Sequence, residues 1–241
     1  MTDTKVAEAG ETRGGQIMQP AHNPWPDRSA RATLVIVFSF LAFINLAGIP
    51  RHFPVDSVSK ALSIAASIAN VMFLSLIAST ALTRLAPIGK AKGIEPRISA
   101  LLGTFLCTGL ALLPKTELGP VLSATSTILI LMGASLSFVV LRWLGKSFSI
   151  MAEARRLVIA GPYRIVRHPL YLCEGLAILG VMLQVISPWA VMLVMVIALI
   201  QYRRMINEEA ILNSAFPEYQ AYAANTPRVI PARFTARPAI W

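Results

Sequence analysis

Six stretches of this chain are apolar for long enough to be membrane helices, and polar segments of varied length separate them. A helix needs about 20 mostly apolar residues to cross the hydrocarbon of a bilayer. The pattern predicts helices over 32–50, 61–82, 98–113, 121–141, 170–186 and 189–202. The third is short, which leaves open a re-entrant segment and a count of five. Only Ser187 and Pro188 separate the last two, and so tight a break predicts a helical hairpin. The expected fold is an all-α integral membrane protein with about six transmembrane helices, a C-terminal helical hairpin and a cytoplasmic cap.

Composition agrees with that pattern. Only 14% of the 241 residues are charged and 55% are hydrophobic, where a soluble domain carries about 25% charged residues. The net charge of +10 would suit a nucleic-acid partner, but its distribution argues against one. With six spans, 19 of the 22 Lys and Arg fall on one face: four before the first span, four in the second loop, six in the fourth loop and five after the last span. Positive charge collects on the cytoplasmic side, so both termini are expected there, at the inner or plasma membrane if the source is bacterial. The bilayer, not nucleic acid, is the expected partner. Residues 1–31 are polar and carry Asp3, Glu8, Glu11 and Asp27, which suits neither a secretory signal nor a transit peptide. They are expected to form a disordered cytoplasmic tail. Cys107 and Cys173 lie in apolar segments without metal-ligand spacing, so no metal and no disulfide is expected.

Ionisable residues are nearly absent from the first four spans. Residues 32–141 therefore read as a four-helix scaffold and 142–241 as the working half, which holds nearly every group able to do chemistry. In the latter, the run from Arg155 to Tyr171 packs arginines, His168 and two tyrosines against the start of a span. The residue before a proline avoids helical geometry and proline favours the first helical position, which places His168 at the cap of a helix beginning at Pro169. Such a helix start, flanked by Arg164 and Arg167, should attract an anion. Gly161-Pro162 predicts a turn just ahead of it. Near the end of the last span, Arg204 and Glu208 are four apart on one helical face. By themselves they could be an ordinary ion pair at a membrane exit. Glu174 is the one acid inside a predicted span, where it needs a cavity, a partner or the hydrated interface. Phe216, Tyr219 and Tyr222 recur at helical spacing and predict an amphipathic docking segment.

Gly161-Pro162-Tyr163, Arg167-His168-Pro169-Leu170-Tyr171 and Glu208-Glu209-Ala210-Ile211-Leu212 occur in this order around the predicted hairpin. Together they resemble the isoprenylcysteine carboxyl methyltransferase family and, more distantly, the phospholipid N-methyltransferases. The resemblance covers about residues 145–231. It implies S-adenosyl-L-methionine bound under a cytoplasmic cap, and a lipophilic acceptor entering from the bilayer. It places cofactor contacts at Leu157, Val158, Gly161, Tyr163, Arg167, His168, Pro169, Leu170, Tyr171, Glu208 and Glu209, with Arg204 and Glu208 as catalytic residues. Arg204 and Glu174 would face the substrate. Many relatives have glycine where this chain has Cys173-Glu174. The acceptor stays open among a carboxylate, a phospholipid amine and a thiol. A sterol-type reductase using NADPH, for which Arg155 and Arg156 could serve, and a non-enzymatic membrane protein are the competing readings.

Overall fold

The computed structural model describes residues 25–231; most of the expected N-terminal tail lies outside them. Seven α-helices follow: α1 (Trp25–Gly48), α2 (Val58–Thr83), α3 (Glu95–Phe105), α4 (Pro120–Leu144), α5 (Pro169–Gln184), α6 (Pro188–Ala215) and α7 (Tyr219–Asn225). Two short strands, β1 (Gly89–Lys90) and β2 (Glu153–Ala154), pair antiparallel. The protein is an all-α membrane protein. Its first, second, fourth and sixth helices are each long and apolar enough to cross a membrane. Their outer faces expose Phe40, Phe43, Met195 and Leu199, as a lipid-facing surface requires.

The boundaries depart from the sequence pattern in informative ways. Helix α1 starts at Trp25 instead of residue 32, so residues 25–31 are helical and not tail. The segment expected at 98–113 is not one helix: α3 ends at Phe105 and a 3-10 stretch, Leu106–Leu112, follows. Gly103 and Gly109 weaken the α-helix there. Thr104 and Thr108 also bend their hydroxyls back to the carbonyls of Ala100 and Phe105, at 2.8 and 2.6 Å. Helix α5 is short, at 16 residues. Helix α6 instead runs on past residue 202 to Ala215, carrying the charged block from Arg203 to Glu209 on regular helical turns. The hairpin forms as expected, with the Ser187 side chain capping α6 through the Ala190 N–H and Pro188 at its first position.

Small residues let α4 and α5 pack backbone to backbone. A Cβ on Gly133 would sit 2.6 Å from the Ala177 nitrogen and 2.8 Å from the Cys173 oxygen. Ser126 donates to the Gly180 carbonyl at 2.8 Å, and Gln184 donates to Ser126 at 3.0 Å. This seam orients α5, and α5 carries half the site. Gly133→Ala is expected to destabilise the protein by about 2–3 kcal/mol, because backbone atoms cannot yield as a side chain would. A lowered midpoint of thermal unfolding in detergent would show it.

Candidate functional site

Helices α5 and α6 run antiparallel, and the two motifs meet rung by rung across the hairpin. His168, at the N-cap of α5, bonds through Nε2 with Glu209 Oε1 at 2.9 Å. One rung further in, the Tyr171 hydroxyl donates to Glu208 Oε1, while the Arg204 guanidinium lies over the Tyr171 ring, 5.1 Å from its centroid. On the next rung, Gln201 Nε2 donates to Glu174 Oε2 at 3.4 Å and Gln201 Oε1 accepts from Arg204 Nη1 at 3.0 Å. Helical periodicity explains the alignment: Tyr171, Glu174, Ala177, Ile178 and Val181 share one face of α5. Gln201, Arg204, Glu208 and Ile211 share one face of α6.

These two faces border a cavity of about 440 Å³. Its polar lining includes Arg155, Arg156, Tyr163, Arg167, His168, Tyr219 and Tyr222. Its apolar lining includes Phe38 and Leu41 from α1, and Phe73, Leu74 and Ile77 from α2. Asn45 and Asn70, joined by a 2.9 Å hydrogen bond, also line it. The charged lining comes from 142–241, while both 32–141 and 142–241 supply apolar lining.

The cap is built locally by a few obligate contacts. Gly161 has φ of +61° and a Cβ there would strike the Trp143 ring at 2.5 Å, so only glycine fits this turn. Tyr222 donates to the Tyr163 carbonyl at 2.6 Å, tying α7 to the loop. Burial raises the Tyr163 hydroxyl above the ordinary tyrosine range. Tyr219 and Tyr222 are pushed up to about 12, again by burial first, so these phenols stay protonated and can donate. The segment after α7 runs alongside the start of α5: the Arg167 and His168 N–H groups donate to the carbonyls of Pro227 and Arg228.

Most of the expected residues line the cavity: Leu157, Val158, Tyr163, Arg167, His168, Leu170, Tyr171, Glu174, Arg204 and Glu208. Gly161, Pro169 and Glu209 are outside its wall. The anion expected at the start of α5 is the protein's own Glu209, which pairs with Arg167 at 3.1 Å, His168 at 2.9 Å and Arg228 at 2.7 Å. Nor do Arg204 and Glu208 form a simple ion pair: Arg204 Nη2 donates to the Ile150 carbonyl at 3.3 Å, and Glu208 is held by Tyr171. Sequence reasoning missed Gln201, Asn45, Asn70 and Gly103. A Cβ on Gly103 would lie 2.3 Å from the Arg204 Cδ, so this glycine makes room for the arginine.

One comparison with known proteins falls on this region. Residues 114–219 match the family model of phospholipid methyltransferase. That match covers the seam, the hairpin and the start of α7. The chain is also 43% identical over 77 residues to the cobalt-zinc-cadmium resistance protein CzcN of Cupriavidus metallidurans, which is 31% of this chain and 35% of the relative. It is 37% identical over 81 residues to the nickel-cobalt-cadmium resistance protein NccN of Alcaligenes xylosoxydans xylosoxydans, 33% of this chain and 38% of that protein. The matched stretch thus spans little more than a third of these curated relatives. The metals in their names belong to those proteins.

Proposed function

We propose that this chain is a membrane methyltransferase that uses S-adenosylmethionine and acts on a lipophilic acceptor reaching the site from the bilayer. One observation carries the reading: a single cavity is lined both by charged residues of the cap and hairpin and by apolar residues of α1 and α2. Such a mixed lining suits a polar cofactor together with a hydrocarbon chain. The match to the phospholipid methyltransferase family model supports transfer of a methyl group over reduction.

The residues present fit the cofactor. Its volume class is met, since cofactor sites span about 300–1,000 Å³. Glu208 offers a carboxylate to a cationic group, and Arg156 on the wall offers a cation to an anionic one. Arg204 Nε and Ser147 Oγ, both buried on the cavity wall, lack a hydrogen-bond partner among the described residues, as expected where a ligand supplies one. Bound there, S-adenosylmethionine would supply an electrophilic methyl group on a sulfonium. The chain's own work is to align the acceptor in line with that group and to exclude water, which is worth several kcal/mol of barrier. Arg204, fixed by Gln201 and Ile150, holds the acceptor end of the site. In this reading the cap and both termini face the cytoplasm, and residues 142–241 are the catalytic half.

Titration calorimetry of S-adenosylmethionine and S-adenosylhomocysteine into detergent-purified protein tests this directly. Micromolar binding, weakened about tenfold by His168→Ala, is expected. Folded protein that binds neither compound would overturn the reading.

A further inference from the structure

We propose that the lipophilic acceptor carries a hydroxyl part-way along its chain, and that the Asn45–Asn70 pair recognises it. The inference rests on the methyltransferase reading and adds the chemistry of the acceptor's tail. On α1 the cavity is lined by Phe38, Leu41 and Asn45, and on α2 by Asn70, Phe73, Leu74 and Ile77. Spacings of three, four and seven put each set on one helical face. Both asparagines therefore lie on the stripes that their helices turn towards the cavity.

Their level along the helices is far from the cap. Helix α2 ends at Thr83, and the Leu85 N–H just beyond it donates to the Lys146 carbonyl at 2.9 Å. Arg204 bonds the Ile150 carbonyl, four residues further along that same segment. Asn70 precedes Thr83 by thirteen residues, about 20 Å of helix. A ligand with its reacting end at Arg204 thus meets the asparagines with its chain.

The hydrogen-bond polarity of the pair is fixed from one end. The Asn45 amide nitrogen donates to the Leu41 carbonyl at 2.9 Å, and its oxygen accepts from the Asn70 nitrogen, also at 2.9 Å. Because the Leu41 carbonyl can only accept, neither amide can be turned round without losing a bond. Asn70 keeps its carbonyl oxygen and a second N–H, and neither has a hydrogen-bond partner among the described residues. Joining α1 to α2 uses one bond and does not account for this remainder. Ser63, Ser67, Ser79 and Thr80 of the same helix each donate to a carbonyl three or four residues back, and so complete themselves locally. An amide carbonyl on a stripe shared with Phe73, Leu74 and Ile77 is costly while unpaired. A hydroxyl both donates and accepts, so one group on the chain satisfies both sites on Asn70. A bare hydrocarbon satisfies neither. A ketone or ester carbonyl has no proton to give and leaves the Asn70 oxygen unpaired.

The test titrates full-length protein, with and without S-adenosylhomocysteine, against hexadecanoate and hexadecanoates bearing one hydroxyl or one ketone at successive carbons. At one position the hydroxylated chain should bind about tenfold tighter than hexadecanoate, as one net hydrogen bond gives. The ketone at that position should gain little. Asn70→Leu should erase the preference and bind the plain chain at least as well, whereas a merely structural role would weaken every chain alike. A thermal melt reports whether that variant folds, and the wild-type ranking decides even where it does not. Equal affinity for all chains, a ketone that matches the hydroxyl, a preference that survives in folded Asn70→Leu, or no chain bound by protein that binds the cofactor would each overturn the proposal. Protein that selects the hydroxylated chain but binds no S-adenosylhomocysteine would instead sink the methyltransferase reading and leave the chain site standing.

Discussion

Replacing Glu208 with alanine should weaken S-adenosylmethionine binding by about 100-fold and leave the protein as stable as before. Glu208 is held by one neutral group, the Tyr171 hydroxyl, and its side chain is 25% exposed towards the cavity. Removing it strands no cation within ion-pair distance except His168, 4.0 Å away and better engaged by Glu209. The folded state therefore loses little. A cationic ligand loses a charge-assisted hydrogen bond in a water-poor site, worth about 1.5–3 kcal/mol, and the upper end of that range is a hundredfold in affinity. Tyr171→Phe frees the carboxylate from its anchor without removing the charge, so a smaller loss is expected. Calorimetry alongside a thermal melt separates the two effects. Unchanged affinity in a well-folded Glu208→Ala protein would show that the ligand's positive charge lies elsewhere.

Much of this architecture is legible in the sequence because apolar segments, proline boundaries and a two-residue break leave strong local signals. The cap of α5 at His168 is one such case: Pro169 fixes it without reference to the rest of the molecule. Which residues of the charged block face the cavity is not a local matter. Glu208 and Glu209 are neighbours, yet a turn of about 100° per residue sends one to the wall and the other to a basic cluster. The cluster's third member, Arg228, arrives from beyond α7. Gln201 reads in the sequence as the frayed end of an apolar run, and its role depends on two partners, Glu174 and Arg204, one of them 27 residues away. The break in the third apolar segment has a local cause in its glycines and threonines. The contact of Gly103, one of those glycines, with Arg204 is set by packing. Asn45 and Asn70 likewise look like ordinary polar interruptions until α1 and α2 bring them together on the cavity wall.

Glu209→Ala should behave oppositely to Glu208→Ala, with a large loss of stability and a secondary loss of binding. Glu209 lies outside the cavity wall and bonds three basic side chains: Arg167 and His168 at the start of α5, and Arg228 in the segment after α7. The two carboxylate oxygens accept from Arg228 Nε and Nη2 at 2.9 and 2.7 Å, a bidentate pair. Arg228 also packs over the Tyr202 ring. The carboxylate's hydrogen bonds raise the Arg228 guanidinium above its ordinary range, so the cluster holds its charges firmly. Removing the one acid leaves Arg167, with 15% of its side chain exposed, against Arg228 without a counter-charge. Breaking a buried pair in this way costs about 3 kcal/mol, and a domain of this size would lose on the order of 5–10 °C of thermal midpoint. Repulsion would also loosen the backbone bonds from Arg167 and His168 to Pro227 and Arg228, opening the cap. Glu209→Gln keeps the shape and some hydrogen bonds but not the charge, so it should fall between the two. A Glu209→Ala protein that melts like the wild type would show that the segment after α7 is held by its backbone contacts alone.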